Sequence, residues 1–131
     1  MFNFGDTFDK NRINSINPIV LAFVGDAVYS LYIRSELAVD NDSKTGILNK
    51  LATSKVKATA QADLIERILP ILSEEESAVF KRARNAKKHA KSKSASVAEY
   101  NLSTGFEAVL GYLYLSGNSD RINYLLKKGN E

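Results

Sequence analysis

Leu21-Ala22-Phe23-Val24-Gly25-Asp26-Ala27-Val28 lies inside a longer apolar run that follows Asn17-Pro18, and its reading decides the fold. Asn17 suits an N-cap, and Pro18 suits the first helical position, where its missing N–H costs nothing. The pattern therefore predicts a helix from Pro18 to about Leu37. Through Val28 it is apolar on nearly every side, which marks a central core helix rather than a surface one. Gly25 and Asp26 run against that reading. Glycine costs about 1 kcal/mol in a helix interior and aspartate is also a poor helix former, so both need a reason beyond local preference.

The same anomaly returns near the other end of the chain. A strongly apolar helix is expected over Ala98–Leu115, closed by Ser116-Gly117-Asn118, and it carries Glu107 with Gly111 four residues later. Residues at i and i+4 share a face, so Gly111 removes bulk beside the carboxylate as Gly25 does beside Asp26. Two acids on two core helices, each with a nearby glycine, predict helices that cross closely with the carboxylates meeting. A buried carboxylate without a partner is costly, so such a pair implies a basic neighbour or a cation. Both remain open at this point. Asp26 and Glu107 could each pair with a base such as Arg34 or Lys57, or reach solvent at a helix edge. Alternatively they could hold a hard cation. Mg²⁺ takes one or two protein carboxylates, keeps several waters and accepts phosphate oxygens, which suits phosphodiester hydrolysis.

The rest of the chain also reads as helices, giving an all-α fold in one domain over residues 1–131. Asp40-Asn41-Asp42-Ser43 reads as a turn, followed by helices near Lys44–Thr53 and Lys55–Leu69, the latter stopped by Pro70. Ser73-Glu74-Glu75-Glu76 forms a capping box that opens a helix to about Asn85. Ala86–Ser96 reads as a solvated loop or frayed helix end, and Asp120–Lys128 as a short last helix. Tyr29, Tyr32, Phe106, Tyr112 and Tyr114 fall at helical spacings and are expected to pack rather than to stack on bases.

A chain of 131 residues, 44% hydrophobic and 25% charged, has ordinary globular proportions. Ile19–Ile33 is too short to span a bilayer and carries Asp26. The N-terminus has no leader-like pattern, so a soluble, cytoplasmic protein with no membrane partner is expected. With no cysteine and His89 alone, any metal must be held by oxygen. The net charge of +3 is unevenly spread. Lys81, Arg82, Arg84, Lys87, Lys88, Lys91 and Lys93 follow one another without an acid, and with those seven set aside 11 basic residues face 15 acidic ones. A solvated loop is the ordinary reading of such a run, but unopposed charge in an otherwise acidic chain favours a polyanion contact. Asn49, Lys50, Ser54 and Lys57 form a second, weaker candidate surface.

Leu21–Val28 resembles the first signature of the ribonuclease III family, Leu-Glu-Phe-Leu-Gly-Asp followed by a small residue. Thr104-Gly105-Phe106-Glu107-Ala108-Val109-Leu110-Gly111 resembles its second, Asp-x-x-Glu-Ala-hydrophobic-hydrophobic-Gly. Both together are far more specific than either alone. With Lys81-Arg82-Ala83-Arg84-Asn85-Ala86-Lys87 and Val56-Lys57-Ala58-Thr59-Ala60-Gln61-Ala62, they point to the Mini-III branch. The likeness runs from about Asn17 to Leu115.

The resemblance implies a ribonuclease III-type helical homodimer and an Mg²⁺-dependent endoribonuclease of double-stranded RNA. Asp26 and Glu107 would be its catalytic and metal-binding residues. It also implies a role in maturing large-subunit (23S) ribosomal RNA, a task in which a ribosomal protein could present the substrate. The full family site has four carboxylates, whereas here Ala22 and Thr104 stand at two of those positions, as in the Mini-III branch. The Mini-III resemblance implies no double-stranded-RNA-binding domain, so the catalytic domain is expected to grip the duplex itself through Lys81–Lys93. The first helix, too apolar to be covered by so small a domain, is the expected dimer contact. The competing reading is a non-catalytic ribonuclease III-like RNA-binding component of a larger assembly. A helical interaction protein without a nucleic-acid partner is a third.

Overall fold

Asn17 caps the long core helix as its sequence predicts, its Oδ1 accepting the Ile19 N–H at 2.8 Å. The computed structural model describes residues 4–40, 45–56, 58–87 and 96–131. In chain order the helices are α1 (Lys10–Asn14), α2 (Pro18–Asp40), α3 (Thr45–Val56) and α4 (Ala58–Ile68). After a 3₁₀ turn at Leu69–Ile71 come α5 (Glu74–Asn85), α6 (Val97–Leu115) and α7 (Ser119–Gly129). The described residues contain no strand.

The differences from expectation are local. Helix α2 continues to Asp40, taking in the start of the expected turn, and α3 runs to Val56. Pro70 lies inside the 3₁₀ turn, near whose start a missing N–H is harmless. The five-residue α1 escapes a periodicity argument because it is barely more than one turn, held by Asp9, whose Oδ1 accepts the Arg12 N–H. Helix α6 opens on a second capping box, Ser96 with Glu99, one residue before its expected start. Of the expected Ala86–Ser96 loop, residues 88–95 lie outside the described residues.

Helix α6 is the axis of the molecule. It is buried from Ser103 to Leu113 except at Glu107, and it packs on α2, α5, α4 and α7. Leu21, Val28, Tyr29 and Ile33 of α2 meet Phe106, Val109, Leu110 and Leu113 in one core. Tyr29 sets its ring edge-on to Phe106, and Tyr112 is buried, in keeping with a packing role for these aromatics. Helix α4 contributes Leu64, Ile65 and Ile68, and α7 contributes Ile122, Leu125 and Leu126.

Glu76 joins three elements. Its Oε1 accepts the Ser73 N–H at 2.8 Å, completing the predicted capping box, and Arg121 of α7 donates to both carboxylate oxygens at 2.9 Å. Arg121 also donates to the Ile71 carbonyl. Burial alone would raise the Glu76 pKa, but Arg121 and the Ser73 amide outweigh it and hold the carboxyl below the usual range.

Candidate active site

Helices α2 and α6 approach until their backbones touch. A Cβ built on Gly25 would overlap the carbonyl of Glu107, and one built on Gly111 would overlap the carbonyl of Leu21. The Cβ built on Gly25 would also lie 2.9 Å from the Gly111 nitrogen, so the two glycines face one another across a single crossing. No side chain fits between them. The crossing accounts for both helix-weakening residues, because only glycine permits the approach and the approach brings Asp26 to Glu107.

The two carboxyl groups are hydrogen-bonded to each other. Burial, with the charge of Asp26 beside it, pushes Glu107 up to about 9, so near neutral pH Glu107 holds a proton. Gln61 of α4, fully buried, opposes this shift through a hydrogen bond to Glu107. Tyr29, one turn beyond Asp26, is also raised, to about 12, by burial first and then by Tyr32 and Glu107. Among the described residues neither Asp26 nor Glu107 forms an ion pair. Arg34, the nearest alternative in sequence, donates to Ser30. Lys57 lies outside the described residues.

The two positions at which the family pattern has further acids are occupied differently. Ala22 is buried, and Thr104 is buried with its hydroxyl donated to the Tyr100 carbonyl at 2.9 Å. No group of three or more His, Cys, Asp or Glu residues among the described ones is placed to hold an ion. A two-carboxylate donor set with no ion pair among the described residues fits a hard cation that keeps most of its waters.

Helix α5 brings part of the basic segment alongside. Phe80 packs against Gly105, two residues before Glu107, where an added Cβ would meet its ring at 2.8 Å. From the same helix, Lys81 and Arg82 are exposed and Arg84 is half-buried, its guanidinium 5.9 Å from the Phe80 ring. Lys87 is exposed just beyond the helix, and Lys50 is exposed on α3. Lys88, Lys91 and Lys93 lie outside the described residues.

The residue that sequence reasoning missed is Gln61. On α4 it takes the first place in the core stripe completed by Leu64, Ile65 and Ile68. A polar side chain in an apolar register was the available signal.

Paired acids at the crossing of two core helices, with a basic row on a third, are the layout expected of a ribonuclease III catalytic domain. The family model for the ribonuclease III domain matches residues 19–118, and the chain belongs to that family. It is similar to Mini-ribonuclease 3 of Thermoanaerobacter sp. (strain X514), 45% identical over 90% of this chain and 83% of that protein. Mini-ribonuclease 3 of Streptococcus pneumoniae (strain ATCC BAA-255 / R6) is 47% identical over 87% of this chain and 91% of its own. Among solved structures, protein FN1578 from Fusobacterium nucleatum superimposes with a TM-score of 0.78 at 32% identity, covering 88% of this chain and 92% of that one. The activity is accordingly that of an endoribonuclease of the ribonuclease III family.

Proposed function

We propose that this endoribonuclease is Mg²⁺-dependent, cuts double-stranded RNA as a homodimer and acts in the maturation of large-subunit (23S) ribosomal RNA. The observation that carries the reading is the meeting of Asp26 and Glu107 at the glycine crossing, with no ion pair to either among the described residues. These two residues would hold the ion. Bound there, Mg²⁺ would act as a Lewis acid towards charge developing on the scissile phosphodiester. On binding the ion Glu107 would release its proton to solvent, and Asp26 would set the opposite edge of the site. Lys81, Arg82, Arg84 and Lys87, with Lys88, Lys91 and Lys93 following in sequence, grip phosphates. Lys50 and Lys57 form a secondary contact. Recognition is of A-form shape, since the deep narrow groove hides base edges.

The homodimer is supported by an apolar stripe on α2. Val20, Phe23, Ala27 and Leu31 share one helix face and are exposed, Phe23 by 79%. A large exposed phenylalanine flanked by aliphatic residues marks a contact surface. Asp26 stands between this stripe and the face buried on α6. An isologous pairing across the stripe sets two sites about one axis, one for each strand. The ribosomal RNA role follows the resemblance, with the substrate met in the cytoplasm and a ribosomal protein presenting it.

Asp26→Asn tests the site. The variant is expected to retain its fold and duplex binding while cleavage of duplex RNA in Mg²⁺ falls by at least about a thousandfold, as for loss of an essential electrostatic group. Parental cleavage by this variant would remove the site from Asp26 and Glu107. With the unmodified protein, staggered duplex ends are the expected products.

A further inference from the structure

Glu107 is the longer and more flexible of the two acids, and with Ala22 and Thr104 at the other family positions no further carboxylate helps to hold it in place. A glutamate side chain left to itself samples many rotamers, so a two-carboxylate site needs something else to fix its geometry. The described structure offers one side chain for the task besides Asp26. Gln61 lies on α4, which packs on α6, and is completely excluded from solvent among Leu64, Ile65 and Ile68. Burying an amide is unfavourable unless it is hydrogen-bonded; the Gln61 Oε1 is buried with no hydrogen-bond partner among the described residues, so the amide depends on the bond that its N–H makes to the Glu107 carboxylate. Any apolar residue of similar size would satisfy the packing of that stripe. The amide is therefore explained by the carboxylate it reaches and not by the core it occupies.

We propose that Gln61 is a positioning residue for RNA cleavage, holding the Glu107 carboxylate in the orientation in which it and Asp26 together receive the metal ion. It touches neither RNA nor the ion and acts only through Glu107. The proposal rests on the reading of Asp26 and Glu107 as the metal site. Groups that orient a metal-binding carboxylate typically govern metal affinity or activity by about 10- to 100-fold, and that is the effect expected here.

Gln61→Met keeps the length and flexibility of the side chain and removes the amide. Its kcat on duplex RNA should fall by about 10- to 100-fold while KM stays near the parental value. The half-saturating Mg²⁺ concentration should rise, and the Mg²⁺-induced increase in Tm should shrink. A purely structural glutamine would instead lower the Tm of the metal-free protein and leave kcat and Mg²⁺ dependence as they were, which would overturn the proposal. Should Gln61→Met not fold, the unmodified protein gives the answer. The side-chain amide resonances of Gln61 should shift on titration with Mg²⁺, with the same midpoint as cleavage, and should not shift in Asp26→Asn. Resonances indifferent to Mg²⁺ in the parental protein would also overturn it. The two readings separate cleanly. An active Asp26→Asn removes the metal site itself, whereas an inactive Asp26→Asn beside a fully active Gln61→Met removes only the role of Gln61.

Discussion

Gly25 and Gly111 cannot carry even a methyl group. What each would strike is backbone, which has no rotamer to turn away, so the helices themselves would have to part. Gly25→Ala is therefore expected to destabilise the protein by about 3 kcal/mol or more, although alanine is the better helix former. A rise in the thermal midpoint of Gly25→Ala would contradict the crossing. Asp26 and Glu107 give a second prediction at this scale. An ion entering the site must displace the proton held by Glu107, whose pKa of about 9 lies above the working range. Mg²⁺ should therefore bind more tightly as pH rises from 6 towards 9, by up to about tenfold per unit if one proton leaves per ion. Calorimetric titration at several pH values measures this, and pH-independent binding would count against a proton held on Glu107. These residues were legible in the sequence because each breaks a local rule within an otherwise regular helix. Gln61 was harder to read, because glutamine is a good helix former and its only local signal is a polar side chain in the register of Leu64, Ile65 and Ile68.

Between elements, the Glu76–Arg121 pair ties α5 and the 3₁₀ turn to α7. The Glu76 side chain is 5% exposed and that of Arg121 31%, so removing the arginine strands a charge with little access to water. Arg121→Ala is expected to cost about 3 kcal/mol, measured by denaturant unfolding. The pH dependence follows from the lowered carboxyl pKa. In the unfolded chain Glu76 titrates near 4.5, and in the folded protein lower, so its contribution is complete above 4.5 and is lost as the pH falls through the folded value. Acid unfolding of Arg121→Ala should accordingly be less steep than that of the parental protein. The capping box could be read from Ser73 and Glu76 because its pattern is local. The second duty of Glu76 could not, since Arg121 is 45 residues away. Likewise α1 was too short for a periodicity to form, and its anchor is a distant one, the Phe8 N–H donating to the Leu115 carbonyl at 2.8 Å.

Across the whole molecule, the basic segment and the exposed stripe of α2 lead to separate experiments. Replacing Lys81, Arg82 and Lys87 by glutamine should weaken binding to every duplex alike. The log–log salt dependence should flatten by roughly 0.9 for each phosphate that is no longer neutralised. An unchanged slope would return these residues to an ordinary solvated face. Phe23→Glu places a charge in the middle of the apolar stripe and should shift the protein to monomer in sedimentation, with loss of paired-strand cutting. A dimer that survives this change would have to be built on another surface. The apolar excess of α2 was visible in the sequence. Which side of it stays exposed was not, because that depends on where α6 lies.

The glycine crossing also restricts how such a chain can change its length. One residue inserted into α2 between Leu21 and Asp26 would swing the acid about 100° around the helix axis, away from its counterpart. The same holds between Glu107 and Gly111 of α6. Insertions and deletions among descendants of this sequence should therefore collect in the connections between helices, and these two spans should keep their spacing residue for residue.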